Sequence, residues 1–225
     1  MKLYVIGDSI SIHYGPYLES FLQGVAGYAR KTGEDGVLEN LDIPRGANGG
    51  DSGQVLEFLR EAAARGGIAA DLLLFNCGLH DIKTDPASGA RQVPLDRYEA
   101  NLRTILRVIA ELGPSPVWIR STPFDEERHN RISTAFHRHA ADLAAYNAAA
   151  DAVMRAHGVP VIDLYSFTRN LGGDLYRDHV HFREDVRAQQ AAFIAGWVSG
   201  YVNGRTRRTD DRPSRPGNNN RKNPD

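Results

Sequence analysis

Asp71-Leu72-Leu73-Leu74-Phe75-Asn76 is the stretch that decides the fold of this chain. A continuous apolar run of this length is typical of a central strand in a parallel sheet, where neighbouring layers cover both faces. Reading outward from it, strands and helices alternate. Leu3 to Ile6 reads as a first buried strand, and Tyr17 to Arg30 as the helix after it. Val37 to Ile43 alternates apolar and polar residues, as a second strand does. Ser52 to Arg65 has helical spacing at Val55, Leu56 and Leu59. On the other side, Asp96 to Leu112 is amphipathic, with Tyr98, Leu102, Ile105, Leu106, Ile109 and Leu112 on one face. Val117 to Arg120 reads as a fourth strand, Thr134 to His157 as an Ala-rich helix, and Val161 to Leu164 as a fifth strand. Glu184 to Tyr201 is the last helix. Strands separated by helices in this way predict an α/β domain with a parallel sheet covered on both faces. In such sheets the chemistry sits just beyond the carboxyl ends of the strands.

Composition sets bounds on what the chain can do. At 225 residues, 41% of them hydrophobic, it suits one domain with a sizeable core. The domain is expected over 1–203, and 204–225, rich in Arg, Asp, Pro, Gly and Asn, is expected to be a disordered polar tail. A formal net charge of −1 gives no global field for nucleic acid or an anionic membrane. With one cysteine, Cys77, no intrachain disulfide can form. No apolar run is long enough to span a bilayer, and no signal peptide is evident at the amino terminus, so a cytoplasmic protein is expected.

Four segments follow strands or precede the last helix. Gly7-Asp8-Ser9-Ile10 comes after the first strand and places a Ser on a turn at the sheet edge. Gly46-Ala47-Asn48-Gly49-Gly50-Asp51-Ser52-Gly53 leads into the second helix, and glycine turns of this kind let backbone N–H groups approach an anion. Gly50-Asp51-Ser52-Gly53 resembles the nucleophile loop of trypsin-like proteases, but that fold is all-β. Asn76-Cys77-Gly78-Leu79-His80-Asp81 follows the third strand and puts His80 and Asp81 where a side chain can reach the site. Cys77 beside them is expected to pack at the strand end rather than act as a nucleophile. Asp178-His179-Val180-His181 stands just before the last helix. Residues three apart share one side of a turn, so Asp178 can accept the Nδ1 proton of His181 and leave Nε2 to take a proton from a serine. His179 is expected to face elsewhere, and His129, His137, His139 and His157 to face solvent.

These blocks, in this order, resemble the SGNH or GDSL-like hydrolase superfamily. Gly7-Asp8-Ser9-Ile10, Gly50-Asp51-Ser52, Gly78-Leu79-His80-Asp81 and Asp178-His179-Val180-His181 stand in place of its four blocks, with His80 where the superfamily has Asn. Tyr146-Asn147 and Val161-Ile162-Asp163-Leu164-Tyr165 fit its background, so the resemblance covers roughly residues 2–202. It implies a three-layer α/β/α domain, flavodoxin-like, with a five-stranded parallel sheet. It further implies a serine esterase in which Ser9 attacks the acyl carbon, His181 is the base and Asp178 orients it. The backbone N–H groups of Ser9 and Gly50 and the side chain of His80 would form the oxyanion hole, with Asp8 and Asp81 in support. No cofactor or metal is implied. An imidazole N–H can replace an amide as donor, though its donation then depends on tautomer or charge.

Three other readings are weaker. Calcineurin-like phosphoesterases also use Asp and His blocks, but their first, Asp-x-His, is missing because Ser9 and Ile10 follow Asp8. The intact Ser, Asp and His argue against a non-catalytic binding protein. The superfamily also holds lysophospholipases, thioesterases and O-acyltransferases, so the fold alone does not choose the substrate. The segments Lys83 to Pro94 and Pro123 to Ser133 are expected to be polar loops, through Asp85, Arg91, Asp125, Glu126, Arg128 and Arg131. They suit a small acyl group, such as acetyl, on a saccharide or similar polar alcohol.

Overall fold

A computed structural model of the chain describes residues 1–33 and 44–210. Its elements are β1 (Lys2–Ile6), α1 (Ser9–Phe21), β2 (Gly27–Arg30), α2 (Ser52–Ala64), β3 (Leu72–Phe75), α3 (Leu95–Leu112), β4 (Ser115–Ile119), α4 (Glu126–Ile132), α5 (Ala140–Ala156), β5 (Val161–Ile162), α6 (Leu164–Asn170) and α7 (Glu184–Asp210). The five strands form one sheet in the order β2-β1-β3-β4-β5, with every pairing parallel. That is the flavodoxin-like order of a doubly wound fold. α1 and α6 pack on α7, while α2 packs on α3 and α3 on α5, giving the two helical layers.

β3 lies at the centre, and Leu72, Leu73, Leu74 and Phe75 are all fully buried. Burying a side chain of this size stabilises by about 1.5–3 kcal/mol, so this strand anchors the core. The amphipathic face expected on α3 is also found: Tyr98, Leu102, Ile105, Leu106 and Ile109 are buried. The helix ends at Gly113 in the left-handed conformation (φ 97°), which lets its N–H close on Ile109 O.

Several expected boundaries move. The helix expected over Tyr17–Arg30 begins at Ser9, contains Pro16 and ends at Phe21. Gly24, at φ 77°, turns the chain, and Gly27–Arg30 becomes the edge strand beside β1. The strand expected over Val37–Ile43 lies outside the described residues. The polar loop expected over Pro123–Ser133 holds α4, because Asp125 caps it by accepting the Arg128 N–H at 3.0 Å. The helix expected from Thr134 starts only at Ala140, since His137 forms a β-bridge with Thr84. The fifth strand stops at Ile162, where Asp163 caps α6 through the Ser166 N–H. α7, expected to end at Tyr201, continues to Asp210. Among the described residues, no helix is long and apolar enough to cross a membrane.

Candidate active site

The site begins where β1 ends. Asp8 is the N-cap of α1, and its Oδ1 accepts the Ile10 N–H at 3.0 Å. Ser9 is therefore the first residue of a helix rather than part of a free turn, and its backbone is fixed by the cap. Its hydroxyl is 2.9 Å from His181 Nε2. His181 Nδ1 is 2.8 Å from Asp178 Oδ2. Ser9 and His181 are each 6% exposed, so the pair is enclosed but still open to a small reactant.

Asp178 is fixed by its own loop. Its Oδ1 accepts the backbone N–H groups of Val180 and His181, both at 2.8 Å. Burial works against its charge, but the His181 ring and N–H and the Val180 N–H outweigh burial and hold it well below the usual carboxylate range. The loop is closed by a bridge between Tyr176 and Phe182 and by the Arg177 N–H on His181 O at 2.8 Å. An imidazole held at Nδ1 by a carboxylate, with Nε2 on a hydroxyl, can take the hydroxyl proton and later return it.

The glycine segment lies against this centre. The Gly49 N–H donates to Gly7 O at 2.8 Å, two residues from Ser9. Gly50 sits at φ 70°, which favours glycine, and a Cβ there would collide with Gln54. Its N–H, expected as an oxyanion arm, donates instead to Asn48 Oδ1 at 2.9 Å. Two residues of the re-assigned β2 region hold the segment. Arg30 donates to Ser11 O at 2.7 Å and to Ala47 O at 3.2 Å, and Lys31 donates to Asn48 O at 3.0 Å. Neither was visible as a site residue, since Arg30 was read as the end of a helix and Lys31 lay just beyond it.

The third segment starts from Asn76, whose Nδ2 donates to Ile119 O at 2.7 Å and ties the end of β3 to β4. Gly78 follows at φ 145°, and a Cβ there would stand 2.6 Å from Ser121 Oγ. His80 is buried, and its Nδ1 is enclosed without a hydrogen-bond partner. Burial first, then the positive Lys83 and Arg138, hold its pKa well below the usual imidazole range. The ring is therefore neutral, and tautomer alone decides whether it donates. Asp81 accepts the Ser52 N–H on both oxygens, at 2.9 and 3.1 Å, at the start of α2. It braces the second segment against the third. Cys77 is fully buried and its thiol is pushed well above the ordinary value, mainly by burial, so it packs as expected.

One histidine falls elsewhere than expected, and another joins the site unannounced. His129, expected in solvent, is fully buried. Its Nδ1 lies 2.8 Å from Nδ1 of His179, so His179 faces α4 and not Ser9. His13 was not singled out for this site, although it stands one helical turn beyond Ser9, a spacing that puts both on one face. Its ring meets that of His181 edge-on, with centroids 4.9 Å apart. Burial, then Arg187, push its pKa down to about 3, so it is neutral beside His181. Among the described residues, no group of three or more His, Cys, Asp or Glu side chains is arranged to hold a metal ion.

Solved structures share the fold at low identity. A lipase/acylhydrolase from Enterococcus faecalis is 18% identical with a TM-score of 0.65, over 89% of this chain and 96% of that one. An acetyl xylan esterase, AlAXEase, is 14% identical with a TM-score of 0.64, over 88% of this chain and 100% of that one. The psychrotrophic esterase EstA from a Pseudoalteromonas species is 12% identical with a TM-score of 0.60, over 90% and 98%. No curated protein matches the chain. The sequence model of one family matches residues 5–186, a span that holds Ser9, Gly50, His80, Asp178 and His181, and the chain thus belongs to the GDSL-like Lipase/Acylhydrolase family.

Proposed function

We propose that this chain is a serine esterase that hydrolyses a carboxylic ester through an acyl-enzyme, with Ser9 as nucleophile, His181 as base and Asp178 as the group that orients it. The observation that carries this reading is the unbroken chain of short contacts from Ser9 Oγ through both nitrogens of His181 to Asp178 Oδ2. His181 Nε2 takes the Ser9 proton as Oγ attacks the acyl carbon. The ester C–O bond then breaks, and the same nitrogen gives that proton to the departing alcohol. Water enters, loses a proton to His181, and its oxygen attacks the acyl carbon. The acid leaves, and Ser9 regains its proton.

The oxyanion would be met by the Ser9 N–H and by His80. With His80 Nδ1 enclosed and partnerless, Nε2 is the nitrogen left to donate. Gly50 joins only by loosening or sharing its bond to Asn48 Oδ1. The substrate is a short acyl group, such as acetyl, on a saccharide or similar polar alcohol. The polar residues of 83–94 and 123–133 support it, although Arg91 is paired with Asp142 and Arg128 with Asp178 O, which leaves fewer free to touch a ligand. The likeness to an acetyl xylan esterase points the same way.

The test is a panel of p-nitrophenyl esters from C2 to C12 beside acetylated oligosaccharides, run on the wild type and on Ser9→Ala. Rates should peak at the shortest acyl chains, extend to the acetylated sugars, and vanish in Ser9→Ala. Turnover that survives in Ser9→Ala would overturn the nucleophile, and a peak at long chains would overturn the substrate class.

A further inference from the structure

Helix α4 grips the loop that carries Asp178 and His181 at three points. The N–H of its N-cap, Asp125, donates to His179 O at 3.0 Å. Arg128 donates from its guanidinium to Asp178 O at 3.0 Å. His129 Nδ1 meets His179 Nδ1 at 2.8 Å, with the ring centroids 4.6 Å apart.

The third contact is the most demanding. Two Nδ1 atoms bond only if one carries a proton and the other is bare. Two protonated nitrogens repel, and two bare ones have nothing to share. The bond therefore fixes complementary tautomers in the two rings. His129 cannot swing to relieve a mismatch, because it is fully buried between the rings of Phe124 and Phe136, at 6.2 and 5.3 Å. His179 is thus tied to an immobile partner, and it lies between Asp178 and His181 in sequence. The segment around it enters through Gly172 and Gly173, both with positive φ, and is cross-linked within itself by the Tyr176–Phe182 bridge and by the Arg177 and Arg183 N–H groups on His181 O and Leu175 O.

We propose that His129 and His179 are positioning residues for catalysis, their bond holding the Asp178–His181 loop so that His181 Nε2 stays on Ser9 Oγ. The proposal rests on the role given to Ser9, His181 and Asp178 above. Its physical basis is the steep dependence of rate on alignment: a displacement of about 1 Å among reacting groups can cost about 10² in rate. A bond of the same geometry with no bearing on catalysis would change stability alone.

The experiment measures kcat and KM on p-nitrophenyl acetate for His179→Ala, His129→Ala and His129→Asn. An organophosphonate titrates the fraction of competent sites. Ser9→Ala and His181→Ala are run beside them. Both Ala variants should lose about tenfold to a hundredfold in kcat per titrated site, with KM changed by no more than about twofold. His129→Asn should recover most of that loss, because an amide near the Nδ1 position can donate to or accept from His179. Near-normal kcat in folded His179→Ala would overturn the proposal, as would a rise in KM alone or a His129→Asn no better than His129→Ala. If removing the buried His129 ring prevents folding, His179→Ala and His129→Asn decide the matter. Activity persisting in Ser9→Ala or His181→Ala would overturn the underlying triad instead, whatever the other variants show.

Discussion

Asp178 holds His181 at two points with one carboxylate: Oδ1 accepts its backbone N–H and Oδ2 meets its ring Nδ1, both at 2.8 Å. Backbone and ring are thereby fixed against each other. Asp178→Asn can keep the backbone bond through its remaining oxygen, but it presents an NH2 to Nδ1. The ring must then turn away or leave Nδ1 bare, which puts its proton on Nε2 and blocks transfer from Ser9. Such a change costs about 10⁴ in kcat in a serine protease triad, and a loss of that order is expected here. The melting temperature should move by only a few degrees, because most of the loop contacts survive. A kcat close to wild type in Asp178→Asn would remove the orienting role.

Asp81 makes a prediction about stability. Burial pushes its carboxyl up from the ordinary 3.8 to about 7, against the lowering effect of its bonds to Ser52. Between these values the folded chain keeps a proton that the unfolded chain has released. Its contribution to stability is therefore greatest below about 4 and is lost as pH rises through 7. His13 acts in the opposite sense. Its pKa, held near 3 by burial, makes folding less favourable as pH falls below its ordinary value of 6.5. Urea midpoints from pH 4 to 8, taken as the difference between wild type and Asp81→Asn, isolate the Asp81 share. That difference should shift against the wild type as pH rises, and a flat difference would refute the assignment.

Cys77 should be inert. It has no exposed surface, and its thiol is pushed well above the usual value, so little thiolate is present to react. Ester hydrolysis should be unchanged after prolonged iodoacetamide treatment, with labelling appearing only in denaturant. Rapid labelling of the native chain with a parallel loss of activity would put Cys77 back among the catalytic groups.

What was legible in the sequence follows physical strength. The run Leu72–Phe75 is typical of a strand buried on both faces, and it is one. The three-residue spacing of Asp178 and His181 fits one turn, and both of their contacts form. Ser9 stands just after β1 as expected, although the cap by Asp8 makes it helical rather than loop. The edge strand β2 was not legible, because Gly27–Arg30 alternates between exposed and half-buried and carries little apolar signal. α4 was missed because a charged seven-residue helix depends on its Asp125 cap more than on an apolar stripe. With α4 unread, the burial of His129 and its bond to His179 could not be foreseen, since that pairing joins residues far apart in sequence.

His80 should act as an oxyanion donor whose loss lowers rate more than binding. It follows β3 at the same sheet edge as Ser9, where the resembled superfamily carries a side-chain donor. Because its ring is held neutral, donation should not switch on or off across the usual working range. A donor aimed at the developing oxyanion is felt mainly in the transition state, so its removal lowers kcat with KM nearly unchanged. His80→Ala should lose about 10² to 10³ in kcat, and the loss should be the same at pH 6 and pH 9. His80→Asn should recover part of it, because an amide N–H restores donation. The competing account makes His80 a packing residue, since its ring is buried and its Nδ1 enclosed. That account gives a lower melting temperature with near-normal kcat in His80→Ala, and no rescue by Asn. Measuring kcat, KM and melting temperature for both variants on one short ester separates the two, and near-normal kcat in a well-folded His80→Ala would end the oxyanion role.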